Sequence, residues 1–302
     1  MCKLKSAIIL KDRIFMPDYD SHSKMLDELK INDDYFNASK VFVRAELSPK
    51  NEDAFSDIDG WEFSVDQDIT PEWFDKKDCA ERMRNTVKEW AKTHIFIGQN
   101  DLKISHGKNI FIKDCKNVDI YGKAMVKYIC GNTTVENISD NATVESICGD
   151  ATVNSICGKA TVKYIYDNAT VKYICGDATV NSICDNATVE SICGDATVKS
   201  IRGNTTVKYI YDNATVENIC DNATVKYISD NVTVENIYGN ATVKYIYGNV
   251  TVKYICDNAT VISSPYKRWS NSASLIIAGN ATFKDCYSKT IYQAGGWKLV
   301  EV

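Results

Sequence analysis

A nine-residue motif recurs without a break over almost half of the chain. From Gly122 to Pro265 the residues divide into sixteen consecutive copies of the consensus Gly/Asp-Asn-Ala-Thr-Val-x-x-Ile-Cys/Tyr, with no insertion or deletion. A typical copy, DNATVKYIC, occupies residues 167–175, and the next copy begins at once at Gly176. Gapless repetition at a short, fixed period indicates identical structural units that stack on one another.

The composition of one copy predicts a β-strand followed by a tight corner. Ala, Val and Ile hold the third, fifth and eighth places, so Ala-Thr-Val alternates inward, outward and inward as a strand does. Nine residues are too few for a helical hairpin. Gly or Asp followed by Asn begins most copies, and these residue types tolerate the left-handed backbone of a corner. We therefore predict a mainly β fold, a parallel β-solenoid.

The charge at the variable sixth place helps to decide how many copies form one coil. Like charges directly opposite each other destabilise neighbouring strands. Coils of eighteen residues give six opposite-sign neighbours and three like-sign neighbours, whereas coils of twenty-seven residues give five and four. The pattern favours two copies per coil, with about eight coils in the repeat array, each strand spaced about 4.8 Å from the next.

The remainder of the chain predicts a domain before the solenoid and a cap after it. We expect a small α+β domain over residues 1–103, the solenoid over 104–265 and a C-terminal cap over 266–302. In the first domain we predict a hairpin around Lys11, a helix capped by Ser21, two alternating strands at 41–47 and 61–65, and an amphipathic helix over 77–93. Bulky residues near the C-terminus, such as Trp269 and Trp297, suit a cap over the open end of a stack.

Tyrosines at the seventh place of the repeat are the main candidates for a binding surface. An exposed aromatic stripe is typical of a protein interface, although the same rings could simply cover the corners of the coils. The candidate binding tyrosines are Tyr128, Tyr164, Tyr173, Tyr209, Tyr227 and Tyr245. Outward threonine ladders are explained by the preference of β-branched residues for strands, and the corners lack the paired glycines of calcium-binding nonapeptides.

Evidence for catalysis or for metal and cofactor binding is thin in the sequence. Asp66 and Asp68 form a close carboxylate pair beside a predicted strand end, which makes them candidate ligand-binding residues. No histidine or third acid stands near them in a motif spacing, so a solvated turn is the favoured interpretation. His22 lies beside Ser21, which is better explained as a helix cap. We predict no catalytic residue, no metal site and no cofactor.

Charge and cysteine usage restrict the classes of partner. The net charge is −5, and residues 122–262 carry eleven basic and fifteen acidic residues, so no basic track for nucleic acid is expected. Basic and acidic residues interrupt the apolar run at the N-terminus, and no segment has the roughly 18 apolar residues of a membrane span. The cysteines interchange with Tyr, Ser and Arg at the ninth place, which favours free thiols. We expect a cytoplasmic protein.

The N-terminal segment resembles a family of uncharacterised proteins from Gram-positive bacteria and their phages. The resemblance rests on IILKDR at 8–13, MPDYDSH at 16–22, VFVRAEL at 41–47 and residues 61–74, followed by repeats close to Gly-Asn-Ala-Thr-Val. It implies an intracellular, phage or prophage context and no particular activity.

These observations predict a non-enzymatic binding protein, encoded by a phage or mobile element, that engages a host protein and could inhibit a defence system. Two alternatives stay open. One is a structural protein that self-assembles through its β-helix, and the other is an enzyme or ligand-sequestering protein that uses Asp66, Asp68 or His22. The sequence also leaves open a homodimer that forms through an exposed strand ladder.

Overall fold

The computed structural model describes residues 5–270, 275–286 and 290–293. The chain divides into two compact units, Met1–Phe96 with Lys108–Phe111, and Ile97–Gly107 with Ile112–Val302. The elements of the first unit are β1 (Lys5–Leu10), β2 (Ile14–Phe15), α1 (His22–Leu29), α2 (Tyr35–Lys40), β3 (Phe42–Ser48), two short 3₁₀ turns (Lys50–Glu52 and Ile58–Gly60), β4 (Glu62–Val65) and α3 (Lys76–His94).

The first unit is an antiparallel sheet in the order β2-β1-β3-β4 with helices packed on its two faces. All six residues of β1 are buried, because successive side chains point to opposite faces of the sheet and both faces are covered. Ala7 and Ile9 join the cluster that includes Met83 and Val87 of α3. On the other face Ile8 and Leu10 pack with α1, whose buried residues are Met25 and Leu26.

The predicted elements of this unit are present. Ser21 caps α1 by accepting a hydrogen bond from the Lys24 backbone N–H, and β3, β4 and α3 fall where the sequence places them. Helix α2 was not predicted. It is a six-residue helix without a buried residue, and Tyr35 and Phe36 are exposed, so it has no apolar periodicity to detect.

The predicted parallel solenoid belongs to the second unit, apart from residues 95–96 and 110–111 of its first strands, which are counted in the first unit. Its strands alternate between a twelve-stranded sheet, which takes the even-numbered strands β6–β26 and β27, and an eleven-stranded sheet, which takes the odd-numbered strands β5–β25. The strands are β5 (Ile95–Ile97), β6 (Lys103–Ile104), β7 (Ile110–Lys113), β8 (Val118–Ile120), β9 (Met125–Cys130), β10 (Thr134–Ile138), β11 (Thr143–Ile147), β12 (Thr152–Ile156), β13 (Thr161–Ile165), β14 (Thr170–Ile174), β15 (Thr179–Ile183), β16 (Thr188–Ile192), β17 (Thr197–Ile201), β18 (Thr206–Ile210), β19 (Thr215–Ile219), β20 (Thr224–Ile228), β21 (Thr233–Ile237), β22 (Thr242–Ile246), β23 (Thr251–Ile255), β24 (Thr260–Ser263), β25 (Ile276–Ile277), β26 (Thr282–Asp285) and β27 (Thr290–Gln293).

Two copies form each coil, as the charge pattern favours. Thr170 pairs with Thr188, eighteen residues later, and the same offset relates neighbouring strands throughout the array. Because strands also join the sheets before Gly122 and after Pro265, the stack has about ten turns and exceeds the eight coils expected from the repeats alone.

The core of the solenoid is the predicted column of Ala, Val and Ile. Ala178, Val180 and Ile183 are fully buried, and the same three places are buried in the other copies. Neighbouring strands pair at the fourth, fifth, seventh and eighth places but not at the sixth, and the sixth- and seventh-place residues Lys163 and Tyr164 are both exposed. Each strand therefore bends between its fifth and eighth places, which turns two consecutive side chains toward solvent.

The corners have the left-handed backbone that the Gly/Asp-Asn pairs predict. The first place of a copy has a positive φ whether it holds Asp167 (56°) or Gly176 (63°). An Asp in this place also accepts a hydrogen bond from the coil before it, since the Gly149 N–H donates to Asp167 Oδ2 at 3.0 Å. Asn side chains at the second place form ladders, in which Asn222 Nδ2 donates to Asn204 Oδ1 at 3.2 Å.

The C-terminal end of the described chain departs from the repeat. Strands β26 and β27 pair antiparallel, and the Phe283 ring lies 4.6 Å from the Trp269 ring and 5.6 Å from the Tyr292 ring, measured between centroids. This cluster is bulky and aromatic as expected for a cap, whereas Trp297 lies outside the described residues. Within the described part of the chain, no helix is both long enough and apolar enough to cross a bilayer.

Candidate binding surfaces

The six candidate tyrosines lie on two different sheets. Because two copies form a coil, the odd-numbered and even-numbered copies present their seventh places on opposite sheets. Tyr128 and Tyr164 belong to β9 and β13 of the eleven-stranded sheet. Tyr173, Tyr209, Tyr227 and Tyr245 belong to β14, β18, β20 and β22 of the twelve-stranded sheet. The tyrosines therefore do not form one stripe.

Three of these tyrosines form a continuous stack. The Tyr209 and Tyr227 rings are 5.3 Å apart between centroids and inclined by 14°, and the Tyr227 and Tyr245 rings are 5.3 Å apart and inclined by 18°. All three are half-buried, because each ring covers the face of its neighbour. Tyr173 is separated from the stack by Ser191, which occupies the intervening coil.

A row of lysines runs beside the tyrosine stack. Lys208 and Lys226 Nζ lie 5.1 Å and 5.3 Å from the centroids of the Tyr209 and Tyr227 rings. Lys208 Nζ also lies 3.5 Å from a Glu190 carboxylate oxygen, whereas Lys226 and Lys244 have no ion pair within the described residues. We call the six residues Lys208, Tyr209, Lys226, Tyr227, Lys244 and Tyr245 the Lys/Tyr strip.

On the opposite, eleven-stranded sheet, sixth-place lysines form ion pairs with sixth-place glutamates of neighbouring coils. Glu145 lies between Lys127 and Lys163, with carboxylate-to-Nζ distances of 2.7 Å and 3.6 Å. The hydrogen bond from Lys127 and the charges of both lysines hold the pKa of Glu145 below its usual value. Lys253 pairs likewise with Glu235 at 2.7 Å. A run of three lysines in successive coils therefore distinguishes the strip from the opposite sheet, and the repulsion between these lysines destabilises the folded state.

The ninth-place thiols line the edges of the coils as free cysteines. The described cysteines of the array are all free, including Cys148, Cys175 and Cys193. A hydrogen bond from Cys130 lowers the pKa of Cys148 to about 7, whereas burial raises the pKa of Cys175. These thiols fill space beside tyrosines and serines, as their interchange with those residue types predicts.

In the first unit, Asp66 and Asp68 both line a shallow open depression. Arg44, whose guanidinium forms an ion pair with Asp33, lines the same depression. The residue between the two aspartates, Gln67, turns to the backbone: its Oε1 accepts from the Arg44 N–H at 2.8 Å and its Nε2 donates to Phe42 O at 3.2 Å. This anchoring of Gln67 fixes the segment that carries the two carboxylates.

Asp66 is also part of a cluster that the sequence did not predict. Potential ligand atoms of His22, Glu46 and Asp66 all lie within 4.8 Å of one another. Asp68 is not a member. Glu46 on β3 pairs with Ser64 on β4, so Asp66, two residues beyond Ser64, follows on the same face. His22 begins α1, which packs against that face. The sequence signal for the cluster is the alternation along β3 and β4, which places Glu46 and Asp66 on one face of the sheet.

Comparisons with known proteins leave the family of the chain unassigned: no family model matches it, and neither a curated protein nor a solved structure gives a significant match.

Proposed function

We propose that the chain is a non-enzymatic binding protein whose Lys/Tyr strip engages an acidic surface of a partner protein. The observation that carries the proposal is the run of three stacked tyrosines flanked by Lys208, Lys226 and Lys244. Tyr supplies a large amphipathic contact area with few rotatable bonds, and it is enriched at protein interfaces. Lysines in a row attract carboxylates and would lose their mutual repulsion on binding.

The arrangement of the rings favours a protein over a nucleic acid as the partner. Aromatic platforms for single-stranded nucleic acids offer their faces to the bases. In the strip the faces of Tyr227 are covered by Tyr209 and Tyr245, so its edge and hydroxyl group remain for contact. Hydroxyl groups and ammonium groups together suit carboxylates and backbone carbonyls of a polypeptide.

The cellular setting of the proposal rests on the resemblance of the N-terminal segment. The resemblance of the N-terminal segment to bacterial and phage proteins suggests a mobile-element protein that acts in the cytoplasm on a protein of the host, such as a defence enzyme. In this scheme the rigid solenoid is a scaffold that holds the strip straight over successive coils.

Quantitative affinity capture from the natural host cells tests the proposal. Two baits are compared: the wild type and a triple variant that carries Tyr209→Ser, Tyr227→Ser and Tyr245→Ser together. Ser already occupies the same place in Ser155 and Ser191 of the same sheet, so the fold tolerates the change. We expect a stoichiometric acidic partner to be captured by the wild type and lost by the triple variant.

The matched control carries Tyr128→Ser, Tyr164→Ser and Tyr254→Ser on the opposite sheet. It should capture the partner as well as the wild type does. Equal loss in both triple variants would argue against the strip, and a partner retained by the strip variant would place the binding surface elsewhere. Capture of a nucleic acid alone would exclude the protein-binding function.

A further inference from the structure

The His22 side chain is held so that one ring nitrogen faces the carboxylate of Asp66. It is nine-tenths buried, with 10% of its surface exposed, and its Nε2 lies 3.3 Å from the carbonyl oxygen of Ala45. A carbonyl only accepts hydrogen bonds, so this contact assigns the N–H of the neutral ring to Nε2. The lone pair of Nδ1 then points at Asp66 Oδ2, 3.2 Å away.

That geometry places two electron-pair donors against each other. A neutral imidazole nitrogen and a carboxylate oxygen repel at this distance unless a proton or a metal cation lies between them. Glu46 adds a second carboxylate to the cluster, in which one potential ligand atom of each of the three residues lies within 4.8 Å of the others. A His whose second ring nitrogen donates to a backbone carbonyl is the usual arrangement around a protein-bound metal, because the carbonyl fixes the tautomer and the ring orientation.

We infer that His22, Glu46 and Asp66 form a binding site for a divalent first-row transition ion. One imidazole and two carboxylates are ligands that suit Mn²⁺, Fe²⁺ and Zn²⁺, with water completing the coordination shell. Asp66 is 62% exposed, so an ion can reach the cluster from solvent. The site lies within the first compact unit and is independent of the Lys/Tyr strip.

Mn²⁺ is the most discriminating probe, because the chain has 12 cysteines that would also bind Zn²⁺. Electron paramagnetic resonance of free Mn²⁺, titrated with the full chain, counts the bound ions. We expect one site per chain, weakened by more than about tenfold in Asp66→Asn and in Glu46→Gln, since loss of even an outer-shell partner costs that much. The control Asp68→Asn, in the same depression, should bind as the wild type does.

A second readout needs no variant. The chain has three histidines, and bound Mn²⁺ should broaden the imidazole resonances of His22 before those of His94 and His106. Absence of Mn²⁺ binding to the folded wild type, or unchanged binding in both ligand variants, would overturn the site. Broadening that begins at His94 or His106 would overturn it equally.

Discussion

The ring of Tyr209 stacks on the ring of Tyr227 one coil later, with centroids 5.3 Å apart and ring planes inclined by 14°. The contact exists because eighteen residues separate the two tyrosines, which is one full coil. The same offset relates the charged pairs, the corner hydrogen bonds and the Asn ladders. Side chains eighteen residues apart in the linear sequence thereby become continuous rows on the solenoid.

The stacked pair should be energetically coupled. In a double-mutant cycle with Tyr209→Ser and Tyr227→Ser, we expect a coupling of about 0.5–1.5 kcal/mol in the free energy of unfolding, the usual range for aromatic pairs. Urea denaturation measures it. The same cycle at Tyr128 and Tyr164, which Ser146 separates, should be additive within about 0.5 kcal/mol. Additivity at Tyr209 and Tyr227 would show that the rings do not stack in solution.

The corners should distinguish substitutions by backbone conformation. Asp167 has a φ of 56° and accepts from the Gly149 N–H at 3.0 Å. Asp167→Gly loses the hydrogen bond, but glycine tolerates the left-handed backbone. Asp167→Ala loses the hydrogen bond and also places a residue that disfavours a positive φ at the corner. The free energy of unfolding of the Ala variant should be about 1 kcal/mol lower than that of the Gly variant. Thermal denaturation of the two proteins compares them, and a more stable Ala variant would contradict the left-handed corner.

The Lys127–Glu145–Lys163 row should contribute stability that depends on pH. The folded-state pKa of Glu145 is lowered by the hydrogen bond from Lys127, so its contribution is present above the unfolded value of about 4.3 and is lost as pH falls through the lower folded value. The wild type should exceed Glu145→Gln in stability at pH 7, and the difference should shrink below about pH 4. Urea denaturation at several pH values gives this difference.

Glu217 provides the control for that series, because its carboxylate has no ion pair within the described residues. Glu217→Gln should change the stability little at any pH. A pH-independent difference between the wild type and Glu145→Gln would mean that the row of charges contributes nothing.

The buried column should dominate the stability of the rod. Ile192 is fully buried, so Ile192→Ala should lower the free energy of unfolding by about 2–5 kcal/mol through lost burial and the cavity left behind. Thr188 on the same strand is exposed, and Thr188→Ala should change it by no more than about 0.5 kcal/mol. Denaturant titrations of both variants check the ratio; comparable losses would contradict the inward position of the eighth place.

Local chemistry was sufficient to predict most of the solenoid. The apolar places, the corner residues and the charge alternation each encode the same unit, so the buried column, the left-handed corners and the eighteen-residue coil follow from the sequence. The face of an individual tyrosine does not follow from its place in the motif. Tyr164 and Tyr173 occupy the same place in consecutive copies and lie on opposite sheets.

The His22 cluster could not be predicted from spacing, because its members lie on α1, on β3 and directly after β4. Twenty-four residues separate His22 from Glu46 and twenty separate Glu46 from Asp66. Only the register of β3 with β4 and the packing of α1 on the sheet bring the three side chains together. Such long-range pairing depends on tertiary structure, which short motifs do not record.

Two deletions test the central claim, that eighteen-residue coils align the Lys/Tyr strip for binding. Removing one copy, residues 212–220, leaves a gapless array but moves Tyr227 and Tyr245 to the sheet opposite Tyr209. Removing two copies, residues 176–193, keeps every later copy on its own sheet and places Tyr173 directly beside Tyr209.

The deciding measurement is the amount of partner captured by each deletion protein relative to the wild type, after circular dichroism has confirmed that both fold. The shorter deletion should abolish capture, and the longer one should capture at least as much partner as the wild type, because its tyrosine row has four members. Capture retained by the nine-residue deletion and lost by the eighteen-residue deletion would contradict the account.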